Sequence, residues 1–179
     1  DAIWPVFEEY RAQLASRKLK EVDDAYRDAT VLLRDKPQGY SSVIVDETQD
    51  FGPQALLLLR ALVPRQANDL FFVGDGHQRI YIRNRAAMSA CGIDIRGRSR
   101  KLYLNYRTTE EIRRLAVATL EGYEVDDLDE GSDEVKRYKS LSHGPVPQTL
   151  DFKHLDDALR SLPPLLKESM AEGRSVCVI

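Results

Sequence analysis

YSSVIVDETQDF, residues 40–51, sets three β-forming residues directly before two adjacent acids. Val43, Ile44 and Val45 read as a buried strand, predicted over 42–46, that delivers Asp46 and Glu47 to its end. Gln49 and a third acid, Asp50, follow. The design recurs twice downstream. DLFFVGD, residues 69–75, reads as a second buried strand ending in Gly-Asp, with Gln78 just beyond. KLYLN, residues 101–105, reads as a third, followed by Tyr106 and Arg107. Between the first two, Gly52-Pro53 opens a helix, with proline where a missing N–H costs least. That helix, QALLLLRAL, is apolar nearly all round and is expected to be well buried. Residues 84–91 read as helical, and Gly92 suits the position just past that helix. Thr108-Thr109-Glu110-Glu111 reads as a capping box starting another. Strand and helix alternate three times, the pattern of a parallel α/β sheet.

Further out, Ile3, Phe7, Tyr10 and Leu14 recur at helical spacing, which predicts an amphipathic helix over 2–17. Val22, Ala25, Tyr26, Ala29, Leu32 and Leu33 repeat the pattern in a second helix, ended by Lys36-Pro37-Gln38-Gly39. Residues 121–148 change character, acidic at first and then rich in Gly, Ser and Pro, and read as a linker. After it TLDFK reads as a strand, Leu155 to Leu162 as a helix, and Pro163-Pro164 as an interruption that starts another. Val176 to Ile179 reads as a last strand, so the final thirty residues look like the opening of a second α/β domain.

Of the 179 residues, 42% are hydrophobic and 31% charged, a globular composition rather than a disordered one. No apolar run approaches the ~20 residues of a membrane helix, and no membrane partner is expected. Nothing in the sequence points to export, so a cytoplasmic, nucleoid-associated location is expected. Cys91 and Cys177 sit in unlike contexts and read as reduced core thiols. The net charge of −3 hides an asymmetry: Arg79 to Arg114 holds ten basic residues and three acids, whereas Glu121 to Glu134 holds eight acids and no base. A basic stretch beside an acidic one suggests a polyanion site next to a solvated connector.

Open parallel sheets bind ligands beyond the carboxyl ends of their strands. If the three strands are neighbours, two acids, an amide, an aromatic ring and a guanidinium converge on one cleft. Such a set suits a nucleoside triphosphate: one acid holds Mg²⁺ through water, another activates the attacking water, and an arginine stabilises charge on the transferred phosphoryl group. Each member also has a plain reading, as a solvated strand end, a common turn or a surface ion pair. Their order and repeated placement favour the joint reading.

VIVDETQD, FFVGDGHQRIY and LYLNYRTTEEI closely resemble three successive motifs of the UvrD/Rep-like superfamily 1 DNA helicases. The resemblance implies two RecA-like domains with ATP bound between them, and a motor that walks along single-stranded DNA, usually 3′ to 5′. By this resemblance the chain is a partial RecA-like P-loop NTPase domain over 1–122, an acidic linker over 123–148 and the start of a second RecA-like domain over 149–179. Asp46 resembles the Walker B aspartate that holds Mg²⁺ through water, and Glu47 the catalytic base. Gln49 and Asp50 resemble residues that tie the ATP site to neighbouring motifs. Gln78 is similar to the glutamine that senses the γ-phosphate, Arg107 to an arginine that contacts it, and Tyr106 to the ring that stacks on adenine. Tyr81, Arg83 and Asn84 fall where the family contacts DNA.

Departures from the family pattern accompany the match. His77 stands where an acid is frequent and Arg79 where serine is frequent. Arg83 replaces a common DNA-stacking tryptophan and Asn84 a common arginine, so Arg83 stacks through its guanidinium plane, binds phosphate or is simply solvated. His77 lacks companions at metal-ligand spacing and reads as a turn residue. No lysine in the chain follows a glycine, so the Gly-x-x-x-x-Gly-Lys-Ser/Thr loop is absent from it. The expected whole is therefore a longer polypeptide with parts on either side, an ATP-dependent helicase acting on single-stranded or tailed duplex DNA in repair or recombination. The chain alone is expected to be inactive. The alternatives are a catalytically dead paralogue that binds DNA or a protein, and an unrelated module that binds Mg²⁺ through clustered acids.

Overall fold

In the computed structural model, residues 3–79, 87–123 and 137–178 are described. The first two predicted strands form and pair. β1 (Val43–Val45) lies parallel to β2 (Leu70–Phe72), in the register Val43↔Leu70, Ile44↔Phe71, Val45↔Phe72. Hydrogen bonds from Val43 N to Asp69 O and from Val73 N to Val45 O, both 2.8 Å, carry the pairing past the strand ends.

Both strands are half-buried rather than buried. Val45 is 6% exposed, while its neighbour Ile44 and Ile44's register mate Phe71 are 77% and 60% exposed. A run of apolar residues belongs to a parallel strand covered on both faces. Here one face packs on the core and the other does not. That core is Leu56, Met88, Cys91 and Ile93, against which Phe51, Leu59, Leu70, Phe72 and Ile95 pack.

Helices α1 (Trp4–Ser16), α2 (Val22–Asp35) and α3 (Pro53–Ala61) lie close to their predicted ranges. In α3, Ala55 and Leu56 are buried but Leu57 reaches solvent, so burial follows one side of the helix rather than all of it. Phe7 and Tyr10 of α1 are exposed, as is Ile3 just before it, while Leu14 is half-buried. Polar groups tie α1 to α2, through an Arg11–Asp24 ion pair and a hydrogen bond from the Tyr10 hydroxyl to Glu21 Oε1 of 2.9 Å. Of the helix predicted over 84–91, residues 84–86 lie outside the described ones, and Ser89–Cys91 is a single 3₁₀ turn ended by Gly92 at φ 74°. Cys91 is buried, and burial pushes its thiol above the ordinary range; Cys177 is exposed, contrary to expectation.

The third strand corrects the expected sheet. β3 (Leu104–Asn105) forms no ladder with β2; it pairs in parallel with β4 (Lys139–Ser140), inside the stretch read as a linker. The chain divides into two compact units, one drawn from Asp1–Tyr103 and Glu121–Tyr138, the other from Leu104–Leu120 and Lys139–Ile179. The sequence division at 122 and 149 cuts across this grouping.

In the second unit, α4 (Glu110–Ala118) explains why so short a strand as β4 holds. Thr109 caps the helix, its hydroxyl accepting from Ile112 N at 3.4 Å. The cap is one residue later than a capping box requires, so neither glutamate turns back on the helix. Glu110 instead accepts from Ser140 N at 2.9 Å and pairs with Arg113 and Arg114. Glu111 accepts from the His143 ring and from Gly144 N, both at 2.9 Å. Two acids in the first turn thus hold 140–144 against the helix, where the macrodipole favours negative charge.

Arg113 beside it holds Glu110 well below the usual carboxylate range. The His143 ring, with the Gly144 N–H, lowers Glu111 from 4.5 to about 2. A carboxylate whose pKa is lower when folded contributes stability that is full above the unfolded value and is lost as pH falls through the folded one. The urea midpoint of the wild-type chain should therefore exceed that of Glu111→Gln at pH 6, and the gap should close as pH falls from 4.5 toward about 2. A gap unchanged across that range would contradict the clamp.

A Cβ built on Gly144 would lie 2.8 Å from Thr109 Cγ2, so any side chain there must displace the capping threonine. Gly144→Ala is expected to destabilise the chain by about 1–2 kcal/mol, from overpacking and loss of the cap. A lowered denaturation midpoint at unchanged m-value would register it.

The last predicted elements also differ. One helix, α5 (Leu155–Ala171), runs through Pro163 and Pro164 without interruption. Proline's fixed φ is itself helical; its cost is the missing donor and the crowded carbonyl four residues back. Those carbonyls belong to Leu159 and Arg160, both exposed, so water is available to them. Residues 149–153 and 176–178 form no strand.

Candidate functional site

The polar groups at the ends of β1 and β2 are held by hydrogen bonds between the two strand ends. Thr48, 3% exposed, sends both its N–H (3.0 Å) and its hydroxyl (2.7 Å) to Val73 O. This folds the chain after β1 back onto the end of β2. The turn also puts Glu47 in the left-handed region, at φ 53° and ψ 42°, an uncommon conformation for a residue with a side chain. Asp46 Oδ1 accepts from Glu47 N at 2.9 Å. Both acids face solvent.

Gln49 joins the two ends. It is 2% exposed; its Nε2 donates to Glu47 Oε2 at 2.6 Å, and its Oε1 accepts from Asp75 N at 2.9 Å. Its backbone oxygen accepts from Arg79 Nε at 3.3 Å. A buried amide with both ends satisfied fixes what it touches, because turning it would orphan two polar groups. Asp50 N donates to Glu47 O at 3.0 Å, closing the 3₁₀ turn Thr48–Asp50, and the Asp50 side chain is exposed.

Past β2, Asp75 caps the 3₁₀ turn Gly76–Gln78. Its Oδ1 accepts from His77 N and meets the His77 ring Nδ1, both at 3.0 Å, and its Oδ2 accepts from Gln78 Nε2 at 2.9 Å. The imidazole, joined by the Gln78 amide and the His77 N–H, holds the Asp75 carboxyl below its usual range against the opposing effect of burial. On its other side the His77 ring meets Tyr138 edge-on, with centroids 5.6 Å apart. His77 lies in a turn, as its sequence reads, and Asp75 closes the strand end; their bond to one another is what the sequence reading lacks. The signal was there in Asp75-Gly76-His77-Gln78, where an aspartate opening a turn bonds the backbone two residues on.

Asp46, Glu47, Gln49, Asp50 and Gln78 therefore belong to one network or its immediate flank. Tyr106 and Arg107 lie in the second unit. Asn105 Oδ1 accepts from Arg107 N (2.9 Å) and Thr108 N (3.3 Å), a side-chain-closed turn that leaves the Tyr106 ring 75% exposed and Arg107 facing solvent. Tyr81, Arg83 and Asn84 lie outside the described residues.

Among the described residues no three His, Cys, Asp or Glu side chains gather to hold a metal. Mg²⁺ differs from metals that need such a cage: it keeps several waters and takes one or two carboxylates plus substrate phosphates. An exposed Asp46, one oxygen engaged and the other unassigned, fits that pattern.

Helices and two small parallel sheets, with the ends of β1 and β2 tied together through a buried amide, define a mixed α/β protein. The model of the UvrD/REP helicase N-terminal domain matches residues 2–91, half of the chain. The chain belongs to this family. It is 28% identical over 153 residues to the mitochondrial ATP-dependent DNA helicase HMI1 of Saccharomyces cerevisiae, a match covering 79% of this chain and 21% of that protein. It is 32% identical over 130 residues to the ATP-dependent DNA helicase UvrD1 of Mycobacterium tuberculosis, covering 62% of this chain and 17% of that protein. UvrD1 of Mycobacterium bovis matches to the same extent. The chain thus spans about a fifth of the length of the curated relatives it matches.

Proposed function

We propose that the chain is part of an ATP-dependent DNA motor whose full polypeptide hydrolyses ATP to move 3′ to 5′ along single-stranded DNA in repair or recombination, in the cytoplasm beside the nucleoid. The observation that carries this reading is the buried Gln49, which joins the acids after β1 to the turn after β2. A strand end that needed only solvation would not bury an amide to hold a glutamate.

In this reading Asp46 holds Mg²⁺ through water, and Glu47 takes the proton of the attacking water. Gln78 meets the γ-phosphate, Arg107 stabilises its transition-state charge, and Tyr106 stacks on the base. Bound Mg²⁺ supplies charge neutralisation between the phosphates. Gln49 and Asp50 link the acids to the motif after β2. Tyr81, Arg83 and Asn84 are assigned to DNA.

Residues 1–122 are the C-terminal part of the first RecA-like domain, 123–148 the acidic connector and 149–179 the beginning of the second, with the β3–β4 pair bridging the connector. The isolated chain turns over no ATP, because the groups that cradle the phosphates belong to other parts of the polypeptide. Family membership and the two similar DNA helicases support the class.

Phosphate release by the full-length polypeptide, measured with and without single-stranded DNA, tests the proposal. Release that rises on adding DNA is expected; none in either condition would overturn it.

A further inference from the structure

Asp75 stands at the middle of a row of hydrogen bonds that runs from Glu47 to Gln78. Glu47 Oε2 accepts from Gln49 Nε2 at 2.6 Å, Gln49 Oε1 from Asp75 N at 2.9 Å, and Asp75 Oδ2 from Gln78 Nε2 at 2.9 Å. Gln49 is buried, so its amide cannot exchange these bonds for water. The two carboxylate oxygens of Asp75 do different work. Oδ1 is held by the backbone N–H and the ring Nδ1 of His77, which fixes the plane of the carboxylate. Oδ2 is thereby aimed at Gln78. The His77 ring is itself braced by the edge-on contact with Tyr138. With one N–H committed to Asp75, the Gln78 amide keeps its oxygen and a second N–H for a ligand.

We propose that Asp75 is a positioning residue that couples Glu47 to Gln78, with His77 as the clamp that orients its carboxylate. This rests on the hydrolytic reading above, and it adds two residues to which that reading gives no task. A displacement of Gln78 reaches Glu47 through three hydrogen bonds, so the group that meets the phosphate and the group that activates water move together. Rate is sensitive to such placement: a misplacement of about 1 Å can cost roughly 100-fold. Binding of ATP as such does not depend on it.

The test is steady-state, DNA-stimulated ATP hydrolysis by the full-length enzyme. In Asp75→Asn the side chain can accept on one side only; with its oxygen kept on His77, its NH₂ meets Gln78 and turns that amide over, which swaps the oxygen and N–H that Gln78 offers a ligand. Its kcat should fall about 10- to 100-fold, with KM for ATP within about twofold. His77→Ala should lower kcat about 5- to 10-fold, and His77→Asn, whose amide nitrogen can take the place of ring Nδ1, should restore it to within about twofold of wild type. A purely structural role would lower kcat only in proportion to the folded fraction, read by circular dichroism on the same samples, so that kcat per folded molecule would match wild type in Asp75→Asn and in both His77 variants. Should Asp75→Asn fail to fold, the two His77 variants decide alone. Glu47→Gln is the control: turnover that survives it overturns the hydrolytic reading and the coupling with it. Turnover that dies in Glu47→Gln but is unchanged in Asp75→Asn, or equal in His77→Ala and wild type, overturns the coupling alone.

Discussion

Glu47→Gln in the full-length polypeptide should lower DNA-stimulated ATP hydrolysis by roughly 10²- to 10⁴-fold, the range spanned by loss of a general base. The geometry makes this a clean substitution. Among the described residues the Glu47 carboxylate accepts from Gln49 Nε2 into Oε2, and the carbonyl oxygen of a glutamine can accept that bond in the same way. Backbone conformation, the Asp46–Glu47 contact and the buried Gln49 are all retained. What goes is the capacity to take a proton. ATP binding should therefore stay within a few-fold of wild type, which a fluorescent nucleotide titration would show. Glu47→Ala is a poorer probe, because it also releases the amide of Gln49. Hydrolysis undiminished in Glu47→Gln would mean that another group activates the water.

Arg107→Ala should reduce kcat by about 10²- to 10³-fold, more than it weakens ATP binding, because a guanidinium aimed at developing charge acts most strongly in the transition state. Here too the structure isolates the side chain. The turn that presents Arg107 is closed by the Asn105 side chain and the backbone N–H groups of residues 107 and 108. Truncation leaves that turn standing. Arg107→Lys should recover little, since a point charge does not reproduce the planar fork. A kcat within twofold of wild type for Arg107→Ala would remove this residue from the phosphoryl-transfer site.

Both residues are assigned from strand ends and the family resemblance, and the same reading shows where sequence stops. Val43–Val45 and Leu70–Phe72 were legible because β-branched and aromatic residues between turn signals have few other uses. Their one-faced burial was not, because an apolar run looks the same whether one or both faces are covered. β4 left no trace. Lys139 and Ser140 carry no β-forming bias, and their pairing depends on Glu110, thirty positions earlier, reaching the Ser140 N–H. The cap was misread for a related reason: Glu111, the glutamate a capping box would use, bonds the His143 ring and Gly144 N across the unit instead. α5 defied its prolines because its outer carbonyls have water to turn to.

The candidate site divides similarly. Which residue types sit at the ends of the first two strands is written in the chain. That a buried glutamine ties them together is a long-range fact, with Gln49 and Asp75 twenty-six positions apart. The role of His77 was hidden by its solitude in sequence. Only its position against Asp75 distinguishes a clamp from an ordinary turn residue.

With Glu47 in its proposed role, its left-handed backbone sets stability and turnover against each other at one position. An L residue with a bulky side chain gives up about 1 kcal/mol there, which glycine would recover and asparagine would largely avoid. A library of variants sorted only for resistance to heat or protease would drift away from glutamate at 47. One sorted for ATP consumption would keep it, so comparing the two pools reads out what the acid is for without any assay designed around it.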